Sequence, residues 1–103
     1  MTMTLFDVMT PARPRVRPMV RVPVAIYGNS WCGITQMIRR GLDRQGIDYQ
    51  YVDLDLHPEV DRTMRMLARG RLRTPVVYVG GEWLMAPSLR EVQYALARHG
   101  AAV

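Results

Sequence analysis

The sequence predicts a single α/β domain in which a four-stranded mixed sheet is flanked by three helices. The length of 103 residues suits one domain with one shared core. Apolar strand patterns and amphipathic helix patterns alternate along the chain in the order β-α-β-α-β-β-α. The last two strands are joined by Gly80 and Gly81, a pair that can take the positive φ angles of a tight hairpin turn.

The first half of this pattern is a strand, a helix and a second strand. The run VAIY at residues 24–27 is short, apolar and rich in β-formers, and Pro23 precedes it, where a missing backbone donor is tolerated. A helical stripe follows and ends before Gly46; it consists of Ile34, Met37, Ile38, Gly41 and Leu42. The run YQYVDLDL at residues 49–56 indicates the second strand. This succession predicts a right-handed crossover and a parallel strand pair.

The second half adds a helix, a hairpin and a last helix. Pro58 suits a first helical turn and Gly70 ends that helix, whose apolar stripe is Val60, Met64, Leu67 and Ala68. The run PVVYVGGEWLM at residues 75–85 predicts the hairpin. Ser88 and Glu91 then form a capping box ahead of the apolar positions Leu89, Val92, Ala95 and Leu96. The parallel pair and the antiparallel hairpin together predict the mixed sheet.

Residues 1–20 differ from the rest of the chain and are predicted to form a flexible arm ahead of a folded domain at residues 21–103. Pro11, Pro14 and Pro18 separate the arginines of this stretch and favour extended or polyproline-like backbone. We interpret the arm as a disordered solubilising tail, with a contact arm for an acidic partner as the alternative. Much of the net charge of +5 lies on this arm, so the charge does not indicate nucleic-acid binding.

The chain shows no apolar run long enough to span a membrane and no secretory signal pattern in its first residues. A single cysteine cannot form an internal disulfide, which favours a reducing cytoplasm and leaves the thiol free to react. His57 and His99 have no ligand partner at metal spacing, so the sequence predicts no metal site.

Cys32 lies between a buried strand and a helix start, in the stretch GNSWCGITQ. Unpaired N–H groups of the first helical turn and the helix dipole stabilise a thiolate there and lower its pKa, which makes Cys32 the candidate nucleophile. Gly33 leaves room for a small thiol or a partner's backbone, and Trp31 can shield one side. Thr35 can donate its hydroxyl to the thiolate but cannot form a disulfide with it. The alternative is an inert, buried cysteine.

Two further features are candidates for ligand binding. Pro75 stands at a strand start, where an X-Pro bond is either trans or cis, and a cis bond would turn the backbone of Thr74 toward an extended peptide-like ligand. Ser88 begins the last helix, whose N-terminus could hold the anionic end of a thiol ligand. A plain helix cap is the alternative for Ser88.

With these three features in this order, residues 22–99 resemble the glutaredoxin family of the thioredoxin fold. The motifs SWCG, TP before a hairpin and APSLREV are most similar to the actinobacterial mycoredoxins or NrdH-like glutaredoxins. The resemblance implies a thioredoxin-like sheet, a nucleophilic Cys32 facing a cis-Pro75, and a role in cell redox homeostasis. It also implies glutathione or mycothiol as co-substrate and protein mixed disulfides as substrates. The ligand-binding set that it implies is Trp31, Gly33, Thr35, Thr74, Pro75, Ser88 and Leu89.

The chain departs from the dithiol members of the family because Thr35 stands where they carry a second cysteine. The leading hypothesis is therefore a monomeric monothiol oxidoreductase that requires no metal cofactor and acts on mixed disulfides between proteins and a low-molecular-weight thiol. One alternative is a dimer that binds a [2Fe–2S] cluster through Cys32 of each chain and two small thiols. Monothiol cluster carriers usually read Cys-Gly-Phe-Ser, whereas Ile34 and Thr35 follow Gly33 here. A redox-silent interaction module is the third hypothesis.

Overall fold

The computed structural model describes residues 22–100, which form a mixed sheet and three helices. The elements are β1 (Val24–Gly28), α1 (Gly33–Arg44), β2 (Gln50–Asp53), α2 (Pro58–Leu67), β3 (Val76–Val79), β4 (Glu82–Met85) and α3 (Leu89–Arg98). The strand order is β2-β1-β3-β4, with β1 and β2 parallel and the other pairs antiparallel. This topology confirms the predicted thioredoxin-like fold. The predicted arm at residues 1–20 lies outside the described residues.

The parallel pair brings the ends of β1 and β2 to the same edge of the sheet. Gly28 lies opposite Asp53 in the register, and the N–H of Leu54 donates to the carbonyl of Gly28 at 2.9 Å. Because parallel strands end on the same side, the loop that contains Cys32 and the loop after β2 are neighbours.

The prediction that the second strand reaches residue 56 was wrong, because β2 ends at Asp53. The side chain of Asp53 accepts the N–H of Asp55 at 2.9 Å, and its carbonyl accepts the N–H of Leu56 at 3.0 Å. An aspartate that binds backbone two residues ahead forms a turn of its own and competes with the strand ladder. The chain therefore turns at this point.

The core lies between the sheet and the helices α1 and α3. Its buried members are Val24, Ile26, Ile38, Leu42, Val77, Val79, Val92, Ala95 and Leu96. α2 contributes no fully buried side chain. Leu67, predicted in the apolar stripe of this helix, is 78% exposed; it is the last residue of α2, and the left-handed Arg69 (φ 55°) follows two residues later.

The predicted hairpin turn and the predicted helix cap are both present. Gly80 and Gly81 take φ values of 54° and 100°, which glycine adopts without steric cost. Ser88 and Glu91 exchange the two hydrogen bonds of a capping box at the start of α3. Among residues 22–100, no helix has the length and apolar character needed to cross a bilayer.

Candidate active site

Cys32 is the N-cap residue of α1 and has extended backbone angles of φ −86° and ψ 122°. Its N–H donates to the carbonyl of Asn29 at 3.1 Å, which closes a four-residue turn, and its carbonyl accepts the N–H of Gln36 at 3.2 Å. The thiol is free and only partly buried. The structure thus confirms the predicted location of Cys32 at a helix start, and no acidic residue occupies the first turn of α1.

The surroundings of Cys32 lower the pKa of its thiol below the ordinary value of 9.0. The largest cause is the backbone N–H of Thr35, followed by the Thr35 hydroxyl, and the N–H of Ile34 adds a smaller contribution. Partial burial of the sulfur acts in the opposite direction and raises the pKa. The two N–H groups and the hydroxyl favour the thiolate, because the thiolate is the form able to accept hydrogen bonds from them. The Cys32 side chain forms no capping hydrogen bond with the helix in the structure.

Thr35 and Pro75 meet at the end of β1. A Cβ placed on Gly28 would lie 2.6 Å from Thr35 Oγ1 and 3.3 Å from Pro75 Cβ, so both side chains pack against this glycine. Thr35 is fully buried, and its hydroxyl has no hydrogen-bond partner within the described part of the chain. The peptide bond between Thr74 and Pro75 is cis. The structure thus brings the first turn of α1 and the start of β3 together.

Trp31 and Gly33 flank Cys32 on the open side of the molecule. Trp31 is 75% exposed, and no atom lies within 4 Å of the position that a Cβ on Gly33 would occupy. A ligand can therefore approach the sulfur from this side without displacing a side chain at residue 33.

Ser88 and Leu89 lie close to Pro75 in the fold, because the N–H of Ala86 donates to the Pro75 carbonyl at 2.7 Å. The polar groups of Ser88 are committed to the helix cap. Its hydroxyl accepts the N–H of Glu91 at 3.1 Å, and its N–H donates to Glu91 Oε1 at 2.8 Å. The methyl groups of Leu89 pack on Gly41 of α1, at 2.6 and 2.7 Å from the position of a Cβ there. The side chain of Leu89 therefore joins two helices.

Asp55 contacts the loop before Cys32 and was missed in the sequence interpretation. Its carboxylate accepts hydrogen bonds from Asn29 Nδ2 and Trp31 Nε1, both at 2.9 Å. Gln36, also missed, donates from Nε2 to the carbonyl of Ser30 at 3.0 Å. The signal available in the sequence was the parallel pairing, which brings residues after the second strand beside the loop after the first.

An open groove of about 370 Å³ lies between β4 and α3. It is lined by Arg73, Trp83, Leu84, Met85, Pro87, Glu91, Tyr94 and Arg98. Arg73 and Pro87 are the chain neighbours of Thr74 and Ser88, so the groove opens beside the candidate ligand site, although Cys32 is not among its lining residues.

The chain matches the family model for glutaredoxin over residues 24–84, which is more than half of its length and includes Cys32, Thr35 and Pro75. A search of curated protein sequences finds no significant match. Similar solved structures include the glutaredoxin-like protein NrdH-redoxin from Escherichia coli (TM-score 0.60, 23% identity, 79% of this chain and 99% of that chain). They also include a glutaredoxin from Archaeoglobus fulgidus (TM-score 0.60, 17% identity, 92% of this chain and 96% of that chain).

Buckwheat glutaredoxin, solved as a complex with glutathione, is similar as well (TM-score 0.56, 22% identity, 77% of this chain and 71% of that chain). These structural likenesses agree with the fold described above. Since the family match covers more than half of the sequence, the chain belongs to the glutaredoxin family.

Proposed function

We propose that this protein is a monothiol thiol–disulfide oxidoreductase that acts on mixed disulfides between proteins and a low-molecular-weight thiol. Membership of the glutaredoxin family and the thioredoxin-like fold support thiol–disulfide exchange as the chemistry. The observation that carries the proposal is the location of Cys32, the single cysteine of the chain, as the N-cap residue of α1, where N–H groups of the first turn lower the pKa of its thiol. A thiol of lowered pKa is the attacking group that such exchange needs near neutral pH.

The reaction proceeds in two exchanges. The Cys32 thiolate attacks the sulfur of the small-thiol half of the mixed disulfide, a new disulfide forms between Cys32 and the small thiol, and the protein substrate leaves as a thiolate. A second small thiol, as its thiolate, then attacks the small-thiol sulfur of that adduct. This step releases Cys32 as a thiolate and the small thiol as its symmetrical disulfide.

Thr35 gives the site its monothiol character. Its side chain occupies the buried position three residues after Cys32 and cannot resolve the adduct by forming an internal disulfide. Its backbone N–H and hydroxyl instead stabilise the thiolate that attacks in the first exchange and leaves in the second. The small thiol is therefore part of the catalytic cycle as a co-substrate.

The small thiol in this proposal extends from Cys32 along Thr74 toward Ser88 and Leu89, with Trp31, Gly33 and Pro75 around it. Glutathione and mycothiol are the two candidates. The N–H of Ser88 already donates to the carboxylate of Glu91, so a ligand carboxylate at this helix end meets a like charge. Glutathione has free carboxylates, whereas mycothiol has none. The capping box therefore favours mycothiol as the small thiol.

The proposal also assigns the protein to the cytoplasm as a monomer. A chain with one free cysteine suits a reducing compartment, where mixed disulfides with small thiols are formed and removed.

Turnover of defined mixed disulfides tests the proposal. One protein substrate is prepared as its glutathione adduct and as its mycothiol adduct, and release of the protein thiol is followed with the matching small thiol in excess. We expect the wild type to accelerate release, with the mycothiol adduct preferred, and Cys32→Ser to give only the uncatalysed rate. Equal rates with and without the protein for both adducts would contradict the proposal. A coloured dimer after anaerobic reconstitution with iron, sulfide and small thiol would favour the cluster-binding alternative.

A further inference from the structure

We propose that Asp55 is a positioning residue for Cys32: its carboxylate holds the turn at residues 29–32 in the shape that presents the thiol at the start of α1. The inference deepens the proposed function and rests on it, because the shape of this turn matters to catalysis if Cys32 is the nucleophile.

Asp55 binds two of the four residues of the turn. Its Oδ1 accepts from Asn29 Nδ2 at 2.9 Å and its Oδ2 accepts from Trp31 Nε1 at 2.9 Å, so each carboxylate oxygen holds a different side chain. Hydrogen bonds to an ionised carboxylate are among the stronger ones in proteins. Asn29 in turn accepts the N–H of Cys32 through its carbonyl at 3.1 Å. Asn29 therefore links the carboxylate of Asp55 to the backbone N–H of Cys32.

The other two residues of the turn are held by α1. Gln36 donates from its side chain to the carbonyl of Ser30 at 3.0 Å and from its backbone to the carbonyl of Cys32 at 3.2 Å. The turn is thus bound on one side by the first helix and on the other by the loop after β2. Among the hydrogen bonds of residues 22–100, loss of Asp55 would leave this turn the bonds to α1 and the bond that closes it.

Asp55 is itself fixed to the sheet. Its N–H donates to Asp53 Oδ1 at 2.9 Å, and the neighbouring Leu54 donates to the carbonyl of Gly28 at 2.9 Å. These bonds place the carboxylate beside the end of β1, although it lies 24 residues from Trp31 along the chain. The early end of β2 is what allows this contact.

Trp31 is the residue whose order depends most on Asp55. Its ring is 75% exposed, so little packing restrains the side chain. An exposed indole without a hydrogen-bond partner samples several rotamers, and ordering it on contact with a substrate costs free energy. The bond to Asp55 supplies this order in advance, directly before the nucleophile in the chain.

Exchange of the indole N–H with solvent tests the contact itself. The variants are Asp55→Ala and Asp55→Asn, and Asp43→Asn is the matched control because it removes one exposed carboxylate from α1. We expect the Trp31 indole N–H to exchange several times faster in both Asp55 variants and at the wild-type rate in Asp43→Asn. The indole N–H of Trp83 serves as an internal reference that should not change. Unchanged exchange at Trp31 in Asp55→Ala would overturn the proposal.

The pKa of the Cys32 thiol tests the consequence for the nucleophile. Removing a nearby negative charge alone would lower the pKa of a thiol, whereas loosening the turn separates the sulfur from its N–H donors and raises it. Asp53, Asp55, Arg39 and Cys32 all interact electrostatically with Tyr51, and the Arg39 guanidinium lies 3.9 Å above the Tyr51 ring. We expect an upward shift in Asp55→Ala, and a downward or absent shift would contradict a positioning role.

Turnover completes the test. We expect Asp55→Ala and Trp31→Phe, which keeps an aromatic ring but loses the indole N–H, to lower turnover of mixed disulfides by roughly tenfold each, as a loss of about 1.4 kcal/mol does. The double variant should be little slower than Asp55→Ala, which already breaks the bond that Trp31→Phe removes. Asp55→Glu, with both oxygens on a longer stem, should recover part of the rate. Additive losses in the double variant would overturn the proposal.

The exchange and pKa measurements need no substrate and no turnover. They therefore distinguish a failure of the positioning role of Asp55 from a failure of the proposed function.

Discussion

Thr35 carries a buried hydroxyl that has no hydrogen-bond partner among residues 22–100, three residues after Cys32, the proposed nucleophile. An unsatisfied buried hydroxyl destabilises a folded protein by about 1–3 kcal/mol. The same hydroxyl lowers the pKa of Cys32, since the thiolate offers the acceptor that the resting site lacks. Thr35 thus reduces stability and makes the thiol more acidic. In the proposed function, the residue that excludes an internal disulfide also supports the mixed disulfide.

Replacement of this hydroxyl by a methyl group should separate the two effects. At a pH where Cys32 is a neutral thiol, we expect Thr35→Val to raise the free energy of unfolding by about 1 kcal/mol, because the unsatisfied buried hydroxyl is gone and the shape is kept. The pKa of Cys32 should rise at the same time. Cys32 is alkylated rapidly above its folded-state pKa and slowly below it. The pH at which the alkylation rate falls should therefore be higher in Thr35→Val than in the wild type.

Thr63→Val is the matched control for this change. The Thr63 hydroxyl is exposed and donates to the carbonyl of Glu59 in α2, and Thr63 is not among the groups that shift the pKa of Cys32. Its loss should leave the alkylation profile unchanged. An unaltered profile in Thr35→Val as well would mean that the Thr35 hydroxyl does not stabilise the thiolate.

At the scale of single residues, the sequence predicts contacts that depend on local backbone and misses those that depend on register. The location of Cys32 at a helix start follows from the strand, turn and helix pattern around it, and so does the capping role of Ser88. Asp55 had no such local signal. Its contacts with Asn29 and Trp31 depend on where β2 ends, and the sequence pattern placed that end beyond Asp55.

Among the elements, the contact between β1 and α1 leaves no room for a side chain at Gly28. A Cβ there would lie 2.6 Å from Thr35 Oγ1 and 3.1 Å from Thr35 Cγ2. Thr35 is β-branched and fully buried, so its side chain has little freedom to rotate away. The glycine therefore sets how closely the start of α1 approaches the end of β1.

Gly28→Ala should lower the free energy of unfolding by about 1–3 kcal/mol, the usual penalty of overpacking a filled site. Gly33→Ala is the control, because no atom lies within 4 Å of the new Cβ, and we expect no loss of stability from it. Denaturant unfolding measures both. The double variant Gly28→Ala with Thr35→Ala should lose less than the sum of its single changes, since truncating Thr35 makes room for the new methyl group. Strict additivity would show that the two residues do not compete for the same space.

The element order could be predicted because each helix start and the hairpin turn carry their own residue signals. The weaker result is α2, whose apolar stripe is buried only in part: Val60, Met64 and Ala68 are half-buried, and Leu67 is exposed. Stripe periodicity specifies a helical face, but it does not specify how much of that face the sheet covers. Leu67 at the end of the helix shows this difference, since it is apolar, in phase with the stripe and exposed.

Across the whole molecule, four segments distant in sequence meet at one edge of the sheet. The start of α1 brings Cys32 and Thr35, the loop after β2 brings Asp55, and the start of β3 brings Pro75. The segment before α3 joins them through the bond from Ala86 to Pro75. The core lies between the sheet and the helices α1 and α3, so the site occupies the border of the core, where a rigid scaffold meets solvent.

In the proposed reaction, Cys32 takes the small thiol from a protein mixed disulfide. Mass spectrometry of the protein, quenched with acid shortly after mixing with such a substrate and without added small thiol, detects the adduct of this first exchange. We expect a mass increase equal to one small thiol on the peptide that contains Cys32, with an equal amount of protein substrate released as free thiol. An unmodified Cys32, or a covalent complex between this chain and the protein substrate as the sole product, would contradict it.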